Sequence, residues 1–122
     1  MFSNRAFFNM SILIFFILSK VDLHCHLRDG AMCELVAPMI RSGGADVVYV
    51  MPNLQPPITQ IFQAHRYHET LTRLAPGVRF LMSLFLHPSI SPETIAEAAR
   101  SEIIYGVSVS LPLLNGLFLN KD

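Results

Sequence analysis

The residues most suited to chemistry lie in one nine-residue stretch, DLHCHLRDG, at positions 22–30. His24 and His26 alternate with apolar residues, and residues two apart on an extended strand point to the same face, about 7 Å apart along the backbone. Two imidazoles on one face can converge on one metal ion, and imidazole suits zinc. The spacing predicts a metal site at His24 and His26. The alternative is that two histidines merely share a strand face.

Three other polar residues accompany this pair. Asp22 precedes it on the same predicted face, where a carboxylate can orient a metal-binding imidazole ring. Arg28 follows, and a guanidinium beside a metal can hold a substrate carboxylate through two parallel hydrogen bonds. Asn53 lies in a proline-rich loop and offers an amide to a substrate. A solvent-facing arginine and an ordinary turn asparagine remain the alternatives.

The remaining histidines and the two cysteines give weaker signals. His65 and His68 lie three residues apart on a predicted helix and are interpreted as a partly exposed helix face, and His87 is interpreted as a loop histidine. Cys25 lies between the strand histidines and therefore points to the opposite face. This favours a buried, reduced thiol over a disulfide with Cys33.

Hydrophobic patterns predict strands and helices in alternation, which is typical of a parallel sheet built from β-α-β units. The candidate residues lie at or just after the carboxyl ends of predicted strands, where α/β barrels place their active sites. The predicted strands span 21–27, 46–51, 78–86 and 103–109, and the predicted helices span 31–44, 60–74 and 91–100.

The predicted helices carry local signals of their own. Pro38 is expected to kink the first helix, and Ser91 to cap the third. Helical spacing predicts one buried stripe on each of the first two helices. These stripes are Met32, Leu35, Val36, Met39 and Ile40 on the first, and Ala64, Tyr67, Leu71 and Leu74 on the second.

Composition and charge restrict the class of protein. The chain has 122 residues, of which 52% are hydrophobic and 15% charged, which fits one small globular domain rather than a disordered chain. Nine basic and nine acidic residues cancel, which argues against a nucleic-acid partner. Residues 7–19 are almost wholly apolar but shorter than the ~20 residues of a membrane-spanning helix. A secreted or membrane-anchored protein is therefore the alternative to a cytoplasmic one.

Two stretches together, HLRDG at 26–30 and MPNLQPP at 51–57, resemble the dihydroorotases, in particular the stand-alone class of the amidohydrolase superfamily. The His-x-His pair alone is common in that superfamily, whereas the two stretches at this separation are specific. The resemblance covers residues 21–107, roughly the first third of such an enzyme. It implies an α/β fold, namely the first three to four strands of a partial (β/α)8 TIM barrel.

The resemblance also implies an activity. Dihydroorotases are zinc hydrolases of cyclic amides that interconvert N-carbamoyl-L-aspartate and dihydroorotate in pyrimidine biosynthesis, at a two-zinc site where a metal-bound hydroxide attacks the amide. By resemblance, His24 and His26 bind one zinc ion, and Arg28 and Asn53 bind the carboxylate of this small-molecule substrate.

The fourth predicted strand departs from the family. Dihydroorotases bridge their zinc ions with a carboxylated lysine, but this chain reads GVSVSLP there, with Ser108 or Val109 at the lysine position. The only lysines of the chain are Lys20 and Lys121. The family's later histidines and its general-base aspartate have no counterpart either. The catalytic set is incomplete, so we expect at most one weakly held zinc ion and no activity from these residues alone.

The similarity fades near residues 20 and 107. The chain is therefore divided into an apolar N-terminal extension at 1–20, a barrel-like part at 21–107 and a non-matching tail at 108–122. One interpretation of both ends is an error of splicing or gene modelling. Another is a non-catalytic protein that docks on full-length subunits through its strand edges.

Open strand edges also predict how the isolated chain behaves. Three or four barrel strands leave two unpaired edges and an uncovered inner face. We expect a marginally stable chain that forms homo-oligomers or aggregates, which light scattering during a thermal melt will detect. A cooperative melt of a monomer would contradict this expectation.

Overall fold

A computed structural model describes residues 20–109, and within this range strands and helices alternate as the sequence predicts. Neighbouring strands are all parallel, in the spatial order β1-β2-β3-β4. The strands are β1 (Lys20–Cys25), β2 (Ala45–Val50), β3 (Arg79–Phe85) and β4 (Ile104–Ser108); the helices are α1 (Gly30–Val36), α2 (Met39–Ser42), α3 (Ile61–Leu74) and α4 (Pro92–Ala98). Sequential strands joined by helical crossovers form consecutive units of a partial (β/α)8 barrel. The apolar segment 7–19 and residues 110–122 lie outside the described range.

The main core lies between α3 and the two central strands. Its α3 side is the predicted stripe, in which Ala64, Tyr67 and Leu71 are buried and Leu74 is partly buried against them. Alternate residues of the strands complete the cluster from the sheet side: Val48 and Val50 of β2, and Phe80, Met82 and Leu84 of β3.

Local signals set the helix ends as predicted. Pro38, which cannot donate a helical hydrogen bond, separates α1 from α2. The Ser91 hydroxyl accepts a hydrogen bond from the Thr94 backbone N–H at 3.2 Å and caps α4.

The predicted buried stripe of the first helix is partly wrong. Val36 and Ile40 pack against the core, but three larger members of the stripe point into solvent. Small side chains one or two positions along from these residues face the sheet instead and let the helix backbone approach it. Because successive residues of a helix point about 100° apart, the buried face is rotated away from the predicted stripe. The exposed residues are Met32 (54%), Leu35 (71%) and Met39 (63%), whereas Cys33 and Ala37 are buried.

Both lateral edges of the sheet carry exposed apolar side chains. On β1, Val21 is 52% exposed and Leu23 is 68% exposed. At the opposite edge, Tyr105 and Val107 of β4 are also exposed. Apolar side chains at both edges are what consecutive barrel units present to the units beside them.

On the sheet face that is turned away from the helices, the large side chain of Tyr49 lies near the small residues Ser83 and Gly106. A Cβ atom added at Gly106 would lie 2.6 Å from the Tyr49 hydroxyl, so a larger residue there requires the Tyr49 side chain or the β4 backbone to shift. Ser83 of β3 pairs with Gly106, is fully buried, and donates its hydroxyl to the Val50 carbonyl at 2.6 Å. Tyr49 of β2 therefore extends past β3 to the backbone of β4.

The core assignment predicts a contrast between two leucines. Leu71→Ala removes a fully buried side chain, and we expect it to lower the free energy of unfolding by about 2–5 kcal/mol. Leu35→Ala, the matched control on the exposed face of α1, is expected to change it by no more than about 0.5 kcal/mol. Urea denaturation followed by circular dichroism measures both. Equal losses in the two variants would show that the buried faces are wrongly assigned.

Candidate functional site

The side chains of His24 and His26 converge at the carboxyl end of β1. Their Nε2 atoms lie 3.2 Å apart, and their ring planes are inclined at 64°. Two nitrogens that bind one tetrahedral zinc ion at ~2.0–2.1 Å lie about 3.3 Å apart. The pair thus has the spacing of two ligands of one metal ion. The same distance also fits a hydrogen bond between the rings, whose donor depends on the tautomer.

The surroundings of His26 favour the neutral form that binds metals. Burial lowers the pKa of His26, and the positive charges of His24 and Arg28 lower it further. Because a proton and a metal ion compete for the same ring nitrogen, a lowered pKa leaves the ligand form available at lower pH. The Arg28 guanidinium is therefore close enough to the histidine pair to act on it electrostatically.

Asp22 has a different partner from the one predicted. Its Oδ1 accepts a hydrogen bond from the backbone N–H of His24 at 2.9 Å, as short acidic side chains often do two residues on. The carboxylate therefore fixes the strand backbone rather than an imidazole ring. Cys25 and Cys33 are free thiols, as predicted, although Cys25 is only half-buried. Burial and the Asp22 carboxylate raise the pKa of Cys25.

Parallel pairing of β1 and β2 brings the candidate residues to one edge of the sheet. Cys25 pairs with Val50, and the Cys25 carbonyl accepts a hydrogen bond from the Met51 N–H at 2.9 Å. His26 and Arg28 follow the end of β1, and Asn53 follows the end of β2. Arg28 and Asn53 are both exposed there. Barrel enzymes build their active sites at this edge.

Backbone hydrogen bonds shape the loop that carries Asn53. The Pro52 carbonyl accepts from the N–H of Leu54 at 2.9 Å and from that of Ile58 at 3.0 Å. The Ile58 carbonyl in turn accepts from the Phe85 N–H of β3 at 2.7 Å. Asn53 therefore lies in a loop that is held by hydrogen bonds within the loop and by one hydrogen bond from β3.

One contact of Arg28 does not follow from the spacing of residues along the chain. Arg28 has a positive φ of 63°, and the Tyr67 hydroxyl donates a hydrogen bond to its carbonyl. Tyr67 was predicted only as a member of the apolar stripe of α3. The available signal was its chemistry, because a buried tyrosine hydroxyl needs a hydrogen-bond partner.

In the described part of the chain, His24 and His26 form a pair of candidate metal ligands without a third. Within residues 20–109, no group of three His, Cys, Asp or Glu side chains lies close enough to hold a metal ion. Ser108, one of the two residues that align with the lysine expected from the resemblance, contacts the sulfur of Met51 through its hydroxyl at 3.6 Å. This contact places Ser108 beside the carboxyl end of β2.

The other histidines lie elsewhere. His65 is exposed on α3 and lies 3.4 Å from the Ser101 hydroxyl, and His68 is half-buried on the same helix, where burial lowers its pKa. His87 is exposed in the loop after β3, where its Nδ1 lies 2.8 Å from the Ser89 hydroxyl. These positions confirm the helix-face and loop interpretations.

No helix formed by residues 20–109 has the length and apolar character to cross a membrane.

Comparison with known proteins gives a consistent result. The chain is 52% identical over 86 residues to a dihydroorotase of Saccharomyces cerevisiae, a match that covers 70% of this chain and 24% of the relative. It is 46% identical over 94 residues to a dihydroorotase of Mycosarcoma maydis, covering 77% of this chain and 24% of the relative. A scan against protein-family models finds no match. The chain spans about a quarter of the length of these relatives.

The backbone agrees with the sequence. The crystal structure of Saccharomyces cerevisiae dihydroorotase in complex with 5-fluoroorotic acid superimposes with a TM-score of 0.71 and 50% identity, over 73% of this chain and 24% of that chain. The sequence match covers 70% of this chain and the structural match covers 73%, and both are to a dihydroorotase. The matched part of this chain belongs to the dihydroorotases.

Proposed function

We propose that the carboxyl edge of this sheet supplies the first metal ligands and the carboxylate anchor of a dihydroorotase active site. The reaction is the interconversion of N-carbamoyl-L-aspartate and dihydroorotate. The observation that carries the proposal is the 3.2 Å separation of the His24 and His26 Nε2 atoms. It matches the ligand spacing of one zinc ion, at the edge where barrel enzymes place their chemistry.

Each candidate residue has a separate task in this proposal. His24 and His26 hold a zinc ion, which when bound supplies a Lewis acid and an activated water for amide hydrolysis. Arg28 grips the substrate carboxylate with its planar guanidinium. Asn53 donates its side-chain amide to the same substrate from the β2 loop. Binding at Arg28 and Asn53 orients the reacting amide towards the histidine pair.

The remaining ligands must come from outside residues 20–109. Neither Ser108 nor Val109 has the amine that forms a bridging carbamate, so we propose that the chain gives no turnover on its own. Residues 21–107 are the barrel-like part in this proposal, with 1–20 and 108–122 outside it. The free thiols of Cys25 and Cys33 support a cytoplasmic setting, where thiols stay reduced.

The zinc assignment predicts a selective loss of affinity. Four ligands give a structural zinc site ~10–16 kcal/mol, or roughly 3 kcal/mol per ligand, so His26→Gln is expected to weaken Zn²⁺ binding by about two orders of magnitude. Isothermal titration calorimetry on the full chain measures the change. His87→Gln removes a histidine from a loop outside the pair and is the matched control. Equal affinities in the two variants would refute the site.

The carboxylate assignment predicts a loss that spares the metal. Arg28→Lys keeps the charge but loses the bidentate fork, and we expect the dissociation constant of N-carbamoyl-L-aspartate to rise about tenfold. Nuclear magnetic resonance titration of the zinc-loaded chain measures it. Arg73→Lys, in the last turn of α3, is the control and should bind like the wild type. A wild-type dissociation constant in Arg28→Lys would remove Arg28 from the site.

A further inference from the structure

The backbone around Arg28 is unusual and needs support. Arg28 is the one non-glycine residue with a positive φ within residues 20–109, at 63°, and Gly30 follows at 54°. Between them, Asp29 is extended and caps α1, with its Oδ1 accepting from the Gly30 N–H at 2.7 Å. Side chains with a Cβ atom disfavour the left-handed region, because the Cβ approaches the following carbonyl. Something other than local preference keeps Arg28 there.

Two contacts with the core hold this turn. Leu27, immediately before Arg28, is fully buried in the core and fixes where the turn begins. Tyr67 reaches from α3 and donates its hydroxyl hydrogen to the Arg28 carbonyl. Tyr67 is itself only 6% exposed, so its ring cannot move without disturbing the core between α3 and the sheet.

The environment of Tyr67 keeps its hydroxyl in the form that can donate. Burial raises the pKa of Tyr67 well above its ordinary value, and the neighbouring Cys33 thiol raises it further. The hydroxyl therefore carries its proton at neutral pH and donates it to the Arg28 carbonyl.

We infer that Tyr67 is a positioning residue that holds Arg28 in the left-handed conformation and so directs its guanidinium towards the histidine edge. The inference rests on the proposed role of Arg28 as the carboxylate anchor. A change of φ from positive to negative at Arg28 would swing its Cβ, and the guanidinium with it, away from His26. Tyr67, on the connection between β2 and β3, thus determines the direction of the Arg28 side chain on the connection between β1 and β2.

The first test follows the backbone of Arg28 in the full, isotope-labelled chain. At positive φ the amide proton lies close to its own Hα, which gives a strong intraresidue nuclear Overhauser effect. We expect this signal at Arg28 in the wild type and its loss in Tyr67→Phe. Tyr105→Phe is the matched control, because its hydroxyl contacts Arg79 on the far edge of the sheet. An unchanged Arg28 signal in Tyr67→Phe overturns the inference.

A second comparison separates positioning from general stability. Glycine adopts positive φ without support, so in an Arg28→Gly background the loss of the Tyr67 hydroxyl should leave the amide–Hα couplings at position 28, which report φ, unchanged. Couplings in Arg28→Gly/Tyr67→Phe that indicate a negative φ would mean that Tyr67 supports the whole turn, and would overturn a specific role towards Arg28.

The third readout is binding to the zinc-loaded chain. Losing one hydrogen bond to the anchor is expected to weaken N-carbamoyl-L-aspartate binding about fivefold to tenfold in Tyr67→Phe, with Zn²⁺ affinity unchanged. A parallel loss of Zn²⁺ affinity counts against positioning. If the wild type binds Zn²⁺ but not N-carbamoyl-L-aspartate, the proposed role of Arg28 fails, whereas the Arg28 backbone signal still decides the role of Tyr67.

Discussion

The candidate site depends on the hydrogen bonds between β1 and β2. β1 carries His24, yet its side chains are exposed almost throughout, so apolar burial contributes little to holding it in place. Pairing of the backbone sets its register and finishes at the Cys25 carbonyl, which accepts from Met51. A slip of one residue would turn both histidines to the opposite face of the sheet. One parallel strand pairing therefore decides whether the histidines lie at the same edge of the sheet as Asn53.

Burial just after β1 is confined to Leu27, since residues 28–32 are again exposed. The exposed strand is followed by the buried Leu27 and then by the turn whose carbonyl receives the Tyr67 hydroxyl. Half-buried His26 lies at the boundary, where desolvation and neighbouring charges lower its pKa. The side chains proposed to bind the metal ion and the carboxylate thus stay accessible, while the backbone between them is fixed at the buried Leu27.

Features that depend on periodicity and composition, such as the order of strands and helices, could be predicted from the sequence. Features that depend on how side chains pack, such as the buried face of the first helix, could not. The α3 stripe was predicted correctly because, apart from the exposed Phe62 in its first turn, the apolar residues of α3 lie on one face. The stripe of the first helix was not, because apolar residues surround that helix and the small Cys33 and Ala37 allow the closest approach. The strand pattern placed His24 and His26 on one face, but it does not contain the ring rotation that brings their nitrogens to 3.2 Å. For Tyr67, the tertiary contact was not predictable from spacing.

The contact between Tyr49 and Gly106 has a consequence for the position of β4. The Tyr49 side chain extends from β2 past β3 to the β4 backbone, so it spans three strands on the sheet face opposite the helices. The Tyr49 hydroxyl can occupy that place only while position 106 lacks a Cβ atom. A larger residue would displace either the Tyr49 side chain or the β4 backbone. If β4 shifted, the contact of Ser108 with Met51, two residues further along the strand, would change with it.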